Sequence, residues 1–294
     1  MFKNSYKFGV ICTVIGGILW GFSGACGQFL FMQKNITSDL LVPFRLLMSG
    51  IFMLIFFAYK QKMQIFRIFK NSKDIFTLFL YAVIGLGLCQ YTYFYSIELS
   101  NAAVATVIQY SAPAMILIFV TIKNKKMPKL VEILALICAA LGVFLLATHG
   151  KFDTLILSQK ALIACLICAF ATMCYNLIPT SINEKYSVCY CLAWGLFLAG
   201  ILAIFIFRVW EQNFIYDFES FFAFFVIVFL GTIAAFSLYM TGVFIIGPSR
   251  ASLLACFEPL SAAFFAFFWL NTPLIWIDVL GFLLILCCTF LLRK

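Results

Sequence analysis

Glu258, followed at once by Pro259, stands inside a run of apolar residues at 251–270. It lies eight positions past Arg250, about 12 Å along a helix. A carboxylate at that depth in hydrocarbon costs about 2.5–3.5 kcal/mol, and such groups turn toward a bundle interior. Two readings follow. A proton taken up there cancels the charge, which is the chemistry of a proton-coupled step. Alternatively, the protonated carboxyl braces a backbone carbonyl that Pro259 leaves without its usual N–H partner. Arg45 is the second buried-charge candidate, about five residues and 7 Å into another apolar run. It either snorkels to headgroups or caps a neighbouring helix, or it serves as a gating cation or a contact for a substrate carboxylate.

Weaker polar groups surround these two in the pattern. Gln90 and Tyr93 are three apart and share a helix face. Gln109 stands just before Pro113, beside Tyr110, and Tyr175, Asn176 and Tyr239 lie within later apolar runs. Trp20 falls near the middle of the first run, too deep for an interfacial anchor, so it is lipid-facing bulk or the wall of a substrate site. Each of these side chains either bridges helices or touches a ligand. Together they describe a weakly polar, aromatic-lined cavity, which suits an amphipathic metabolite better than a bare ion. Gly17, Gly21 and Gly24, with Gln28 beyond them, line one face of the first run; the Gly17–Gly21 pair is a spacing for close helix packing that also leaves room for a cavity.

Other chemistries find little support. Twelve cysteines lie mostly inside apolar runs, where Cys packs as a small hydrophobe. Cys165 and Cys168 have ligand-like spacing, but no second pair accompanies them and His149 is the sole histidine. No metal or cofactor is expected. His149, before Gly150, reads as a helix C-cap. There is no P-loop, so the chain does not hydrolyse ATP itself, and no H-E-x-x-H motif. An enzyme would need a converging catalytic set that the sequence lacks.

The elements that must position these residues are helices in a bilayer. Of 294 residues 65% are hydrophobic and 11% charged, with mean hydropathy +1.10. A soluble domain of this size has no way to hide so much apolar surface. Ten runs are long enough to span: 8–31, 40–59, 75–97, 102–122, 130–148, 162–180, 188–207, 221–246, 251–270 and 274–292. The first exceeds the length of a signal-peptide core and is read as a retained helix. With the N-terminus in the cytoplasm, fifteen lysines and arginines face inward: Lys3, Lys7, Lys60, Lys62, Arg67, Lys70, Lys73, Lys123, Lys125, Lys126, Lys129, Lys185, Arg250, Arg293 and Lys294. Only Lys34, Lys151, Lys160 and Arg208 face outward. That bias places both termini in the cytoplasm. The net charge of +9 therefore meets anionic lipid headgroups, not nucleic acid.

The chain also repeats. Residues 85–119 lie on 231–265 with a constant shift of 146, matching Gly85 to Gly231, Tyr93 to Tyr239 and Pro113 to Pro259; the same shift carries Glu132 onto Asp278. Two five-helix halves, 1–150 and 151–294, are implied. Because five is odd, the second half enters the membrane from the opposite side, an architecture suited to alternating access about a midplane site.

Leu19-Trp20-Gly21, Pro43-Phe44-Arg45, Ser100-Asn101-Ala102-Ala103 with Pro113 beyond, and Ser249-Arg250-Ala251-Ser252 leading to Glu258-Pro259 together resemble an EamA-type carrier of the drug/metabolite transporter superfamily. The resemblance runs the length of the chain and is nearest the bacterial branch of carboxylate, amino-acid and amine carriers. It implies an all-α integral membrane protein of ten helices and a plasma-membrane secondary carrier that exports an amino acid or related compound. Segment 171–175 offers no clean counterpart to Trp20-Gly21. The competing classes are a lipid flippase and a membrane enzyme acting on a lipid-linked substrate.

Overall fold

The structure, a computed structural model, describes residues 2–125, 128–150, 156–212, 217–246, 251 and 254–291. The segment 249–250 and 252, part of the motif read above, lies outside the described residues, as do Lys126, Lys151, Arg293 and Lys294. Helices begin where side chains can satisfy the first free N–H groups. Asn71, Asn101, Ser158 and Asp217 each accept such a bond, from Lys73, Val104, Ala161 and Ser220 respectively. The elements are α1 (Phe2–Lys34), α2 (Ser38–Gln61), α3 (Ser72–Leu99), α4 (Ala102–Lys123), α5 (Leu130–Thr148), α6 (Gln159–Leu177), a short connecting helix (Thr180–Tyr186), α7 (Val188–Ile206), α8 (Phe218–Ile246), α9 (Phe257–Phe268) and α10 (Trp276–Leu291). Among the described residues α1–α8 are long and apolar enough to cross a bilayer, whereas α9 and α10 are shorter apolar helices. The ninth run therefore corrects the sequence expectation of one unbroken span over 251–270. The connection at 60–74 is also helical where a loop was expected: a 3₁₀ segment, Lys62–Lys70, buries Ile65 and Ile68 and exposes Phe66 and Phe69.

Two interruptions matter for function. α4 breaks at Tyr110–Ser111, where its first part, Ala102–Gln109, gives way to Ala112–Asn124 before Pro113 takes up its early position. α9 is preceded by a turn at Ala255–Cys256, just before Pro259. In each case the proline removes an N–H from the ladder. α3 and α8 also carry wide turns, at Tyr81–Gly87 and Val226–Ala234. Moving the first forward by 146 residues lays it inside the second.

α1 is central. It packs on α8 and α9, while α6 packs on α3 and α4. Gly17 and Gly21 face the backbone of α9 at Glu258 and Ala262, so the paired glycines bring two helices together, as their spacing predicted. α2 pairs with α7 and α5 with α10. Gly50 lies against the backbone of Phe197, and Gly200 against that of Leu47, so α2 and α7 run antiparallel with reciprocal contacts. Gly142 against Ile285 and Gly281 against Leu146 make the same arrangement for α5 and α10. The caps repeat as well: Glu132 accepts from the Lys129 N–H at 2.6 Å and Asp278 from the Ile275 N–H at 3.0 Å, both residues shifted by 146.

Candidate functional site

The break in α4 faces the break before α9. Tyr110 Oη lies 2.7 Å from the carbonyl of Ala255, which also accepts from the Glu258 N–H at 2.9 Å, and 3.0 Å from Glu258 Oε2. The Ala255 carbonyl is thus held by the Glu258 N–H and the Tyr110 phenol, and not by the Glu258 carboxyl as the bracing alternative had it. A phenol has one hydrogen. When it goes to Ala255, the Glu258 contact needs a proton from the carboxyl; when Glu258 is ionised, the phenol hydrogen is drawn to the carboxylate. Glu258 itself is partly buried.

Beside this junction Gln109 Nε2 donates to Thr172 Oγ1 at 3.1 Å, while its Oε1 is buried without a partner. Thr172 also sits 3.3 Å from Cys89 Sγ, linking α4, α6 and α3. Tyr93 is buried and shares a hydrogen bond of 2.8 Å with Thr106. The aromatic wall is continuous: Trp20 meets Phe236 at 5.0 Å and Tyr239 at 5.1 Å between ring centres, Tyr175 lies 6.5 Å from Phe236, and Tyr81 stacks on Tyr175 at 5.8 Å. Trp20 accordingly faces protein and not lipid.

Arg45 is only 4% exposed, which overturns the expectation that it snorkels to headgroups. Its guanidinium stacks 4.7 Å over Phe94, its Nε donates to Thr232 Oγ1 at 3.0 Å, and its Nη2 reaches the Gly231 carbonyl at 3.5 Å. It ties α2 to α8 with no ion-pair partner among the described residues.

Two candidates fall outside the cluster. Asn176 is exposed and donates to the Thr172 carbonyl on its own helix, at 2.7 Å. An amide one turn beyond a backbone carbonyl can bond it within its own helix. Gln90 is partly buried and, among the described residues, bonds none of the cluster. It shares the regular helical stretch Leu88–Leu99 with Tyr93, three residues on, yet only Tyr93 joins the cluster. Residues that single-sequence reading underrated are Tyr110, Thr172, Phe236 and Gln28. Gln28 spans two elements, donating to Thr272 at 2.7 Å and accepting from the Ala102 N–H at 2.8 Å.

The ends of the bundle are held by charge. At one end Lys34 contacts Asp217 at 2.5 Å and Glu219 at 2.6 Å, and Tyr91 donates to Asp39 at 2.9 Å. The Lys34 contact holds Asp217 down at about 2. His149, with left-handed backbone at the end of α5, contacts Asp278 of α10 at 2.9 Å. At the other end Lys185 and Tyr186 both reach Asp74, at 2.7 and 2.8 Å. Burial, with the Asp74 carboxylate adding to it, pushes the Tyr186 phenol up to about 12. Between α2 and α8, toward the Lys185 end, lies a cavity of about 660 Å³ lined by Phe52, Phe56, Phe229, Ile233, Ser237 and Thr241 among others. It is off-centre, and none of the nine residues singled out from the sequence lines it. Among the described residues no three His, Cys, Asp or Glu side chains converge as metal ligands.

A bundle of long apolar helices, with two broken segments meeting at a polar centre, defines a polytopic membrane protein of carrier-like build. The model of the EamA-like transporter family matches the chain over residues 7–148 and again over 159–293, and the chain belongs to that family. It is 33% identical over 289 residues to an uncharacterized inner membrane transporter, YicL, of Salmonella typhimurium, covering 98% of this chain and 96% of that one. A solved crystal structure at 13% identity shares the fold, with a TM-score of 0.64 over 98% of this chain and 96% of the other. Family membership points to a transporter rather than an enzyme.

Proposed function

We propose that this protein is a secondary transporter of the plasma membrane that exports a small organic metabolite, an amino acid or related amine or carboxylate, by alternating access. Its halves, 1–150 and 151–294, are inverted five-helix repeats in which α9 and α10 also cross the bilayer, with both termini cytoplasmic. The observation that carries the reading is the antiparallel pairing of counterpart helices. The shift of 146 makes the two capped helices, the two widened turns and the two proline breaks counterparts. Counterparts α2 and α7 run antiparallel, as do α5 and α10. Antiparallel counterparts are related by an axis perpendicular to the helices, which lies in the membrane plane. The two family matches, one per half, and the relative named as an inner membrane transporter agree with it.

In this reading the Lys34 end is outside and the Lys185 end inside. α2 and α8 are pinned toward the outside by Arg45 and part toward the inside around the 660 Å³ cavity, an inward-open arrangement. Glu258 is the coupling group: its proton decides whether Tyr110 bonds both Ala255 and Glu258 or Glu258 alone, and so how tightly the two broken helices are joined. Purified protein in proteoliposomes, loaded in turn with amino acids, carboxylates and amines, should show counterflow of a labelled compound. No counterflow for any of these classes sinks the proposal. The off-centre groove, with Phe244 at its rim 91% exposed, favours one second reading, passage of a lipid-like amphiphile from the bilayer side.

A further inference from the structure

The transport reading leaves unexplained why a guanidinium should be buried between α2 and α8, two helical turns before the first groove-lining residue of α2, with donors to spare. Arg45 is 4% exposed, and its Nη1 has no partner. One turn along α2 the hydroxyl of Ser49, fully buried, also lacks a partner, and so does the hydroxyl of Ser23, which abuts Gly231 where Arg45 Nη2 points. Orphaned donors in an apolar interior are costly, a buried cation most of all. Glu258 does not fill the gap, because its carboxyl is engaged by Tyr110. Arg45 lies on the same stripe of α2 as Phe52 and Phe56, seven and eleven residues on, and these two line the groove with Phe229 and Ile233. Phe52 is about 10 Å along the helix from Arg45, a distance that a small amphiphile spans.

We infer, resting on the transport reading, that Arg45, Ser49 and Ser23 take the anionic head of an amphipathic organic anion whose apolar body occupies the groove among Phe52, Phe56, Phe229 and Ile233. The guanidinium fork supplies charge-assisted hydrogen bonds to a carboxylate, and the serine hydroxyls satisfy its remaining lone pairs. The phenylalanines bury an apolar body without requiring hydrogen bonds. A neutral or cationic head leaves the Arg45 charge uncompensated and is rejected.

The test is calorimetric titration of the full chain in nanodiscs of neutral lipid with three probes of one body: 3-phenylpropanoate, 3-phenylpropanamide and 3-phenylpropylamine. The carboxylate should bind about tenfold or more tightly than the amide, and the amine more weakly still. Arg45→Gln should abolish the preference, Ser49→Ala should reduce it, and Phe52→Ala should weaken carboxylate and amide alike. Equal binding of carboxylate and amide, or a preference that survives Arg45→Gln, overturns the assignment. Should Arg45→Gln fail to fold, the three probes on the unaltered chain and on Ser49→Ala still decide. Displacement of the carboxylate by phosphatidylglycerol added to the nanodiscs overturns it too, giving the site to a lipid headgroup. The titration needs no translocation. Head-group preference without counterflow refutes only the transport reading, and counterflow without head-group preference refutes only this one.

Discussion

At the scale of single residues, the Glu258–Tyr110–Ala255 triad places a titratable group where two discontinuous helices touch. A phenol with one hydrogen and two acceptors is a simple device for linking protonation to backbone contact. Glu258→Gln should fold normally but flatten the pH dependence of transport, measured as initial counterflow rates across pH 5.5 to 8.5; an unchanged profile removes the coupling role. Trp20 packs edge-on to Phe236 and beside Tyr239. Trp20→Ala should weaken substrate affinity severalfold while sparing expression. Lost expression with intact affinity would reduce the ring to packing.

Elements are held at close range by glycine. α2 crosses α7 with Gly50 against the Phe197 backbone and Gly200 against that of Leu47. A side chain there has nowhere to go, since the obstacle is main chain. Gly50→Leu should therefore destabilise by about 1–3 kcal/mol, as overpacking does, and lower the Tm of the detergent-purified protein, whereas the same change at exposed Met48 should be close to neutral. The prolines act at this scale too. Pro113 and Pro259 each stand in the first turn after a break, and the Ala255 carbonyl, already bonded by the Glu258 N–H, takes a second donor from the other broken helix.

Across the whole molecule, inversion and charge make separate predictions. In a cysteine-free background, an impermeant thiol reagent should label Lys7→Cys only in inside-out vesicles and Lys160→Cys only in right-side-out vesicles. Labelling of both from one side would refute inversion. The Lys34–Asp217 contact ties the end of α1 to the start of α8. Asp217 is held at about 2 against an ordinary value of 3.8, so its stabilising contribution is complete above 3.8 and is lost as pH falls through about 2. Asp217→Asn should thus lower the Tm at pH 7, with the difference closing as the pH nears 2; a difference independent of pH would assign the effect to the helix cap alone.

Hydropathy, charge placement and spacing by themselves determined that this chain is helical, membrane-spanning and internally repeated, because burial in lipid and the shift of 146 are written along one dimension. The Gly17–Gly21 packing pair was legible for the same reason. What only the tertiary structure decided depends on which residues of distant helices meet. Tyr110 became central when two broken helices faced each other. Asn176 bonds a carbonyl of its own helix, and Gln90 bonds none of the cluster among the described residues. Arg45, which the sequence left open between headgroup contact, helix cap, gate and substrate contact, is a buried pin, since Phe94 and Thr232, forty-nine and 187 residues further on, offered it a ring and a hydroxyl that no local pattern could announce.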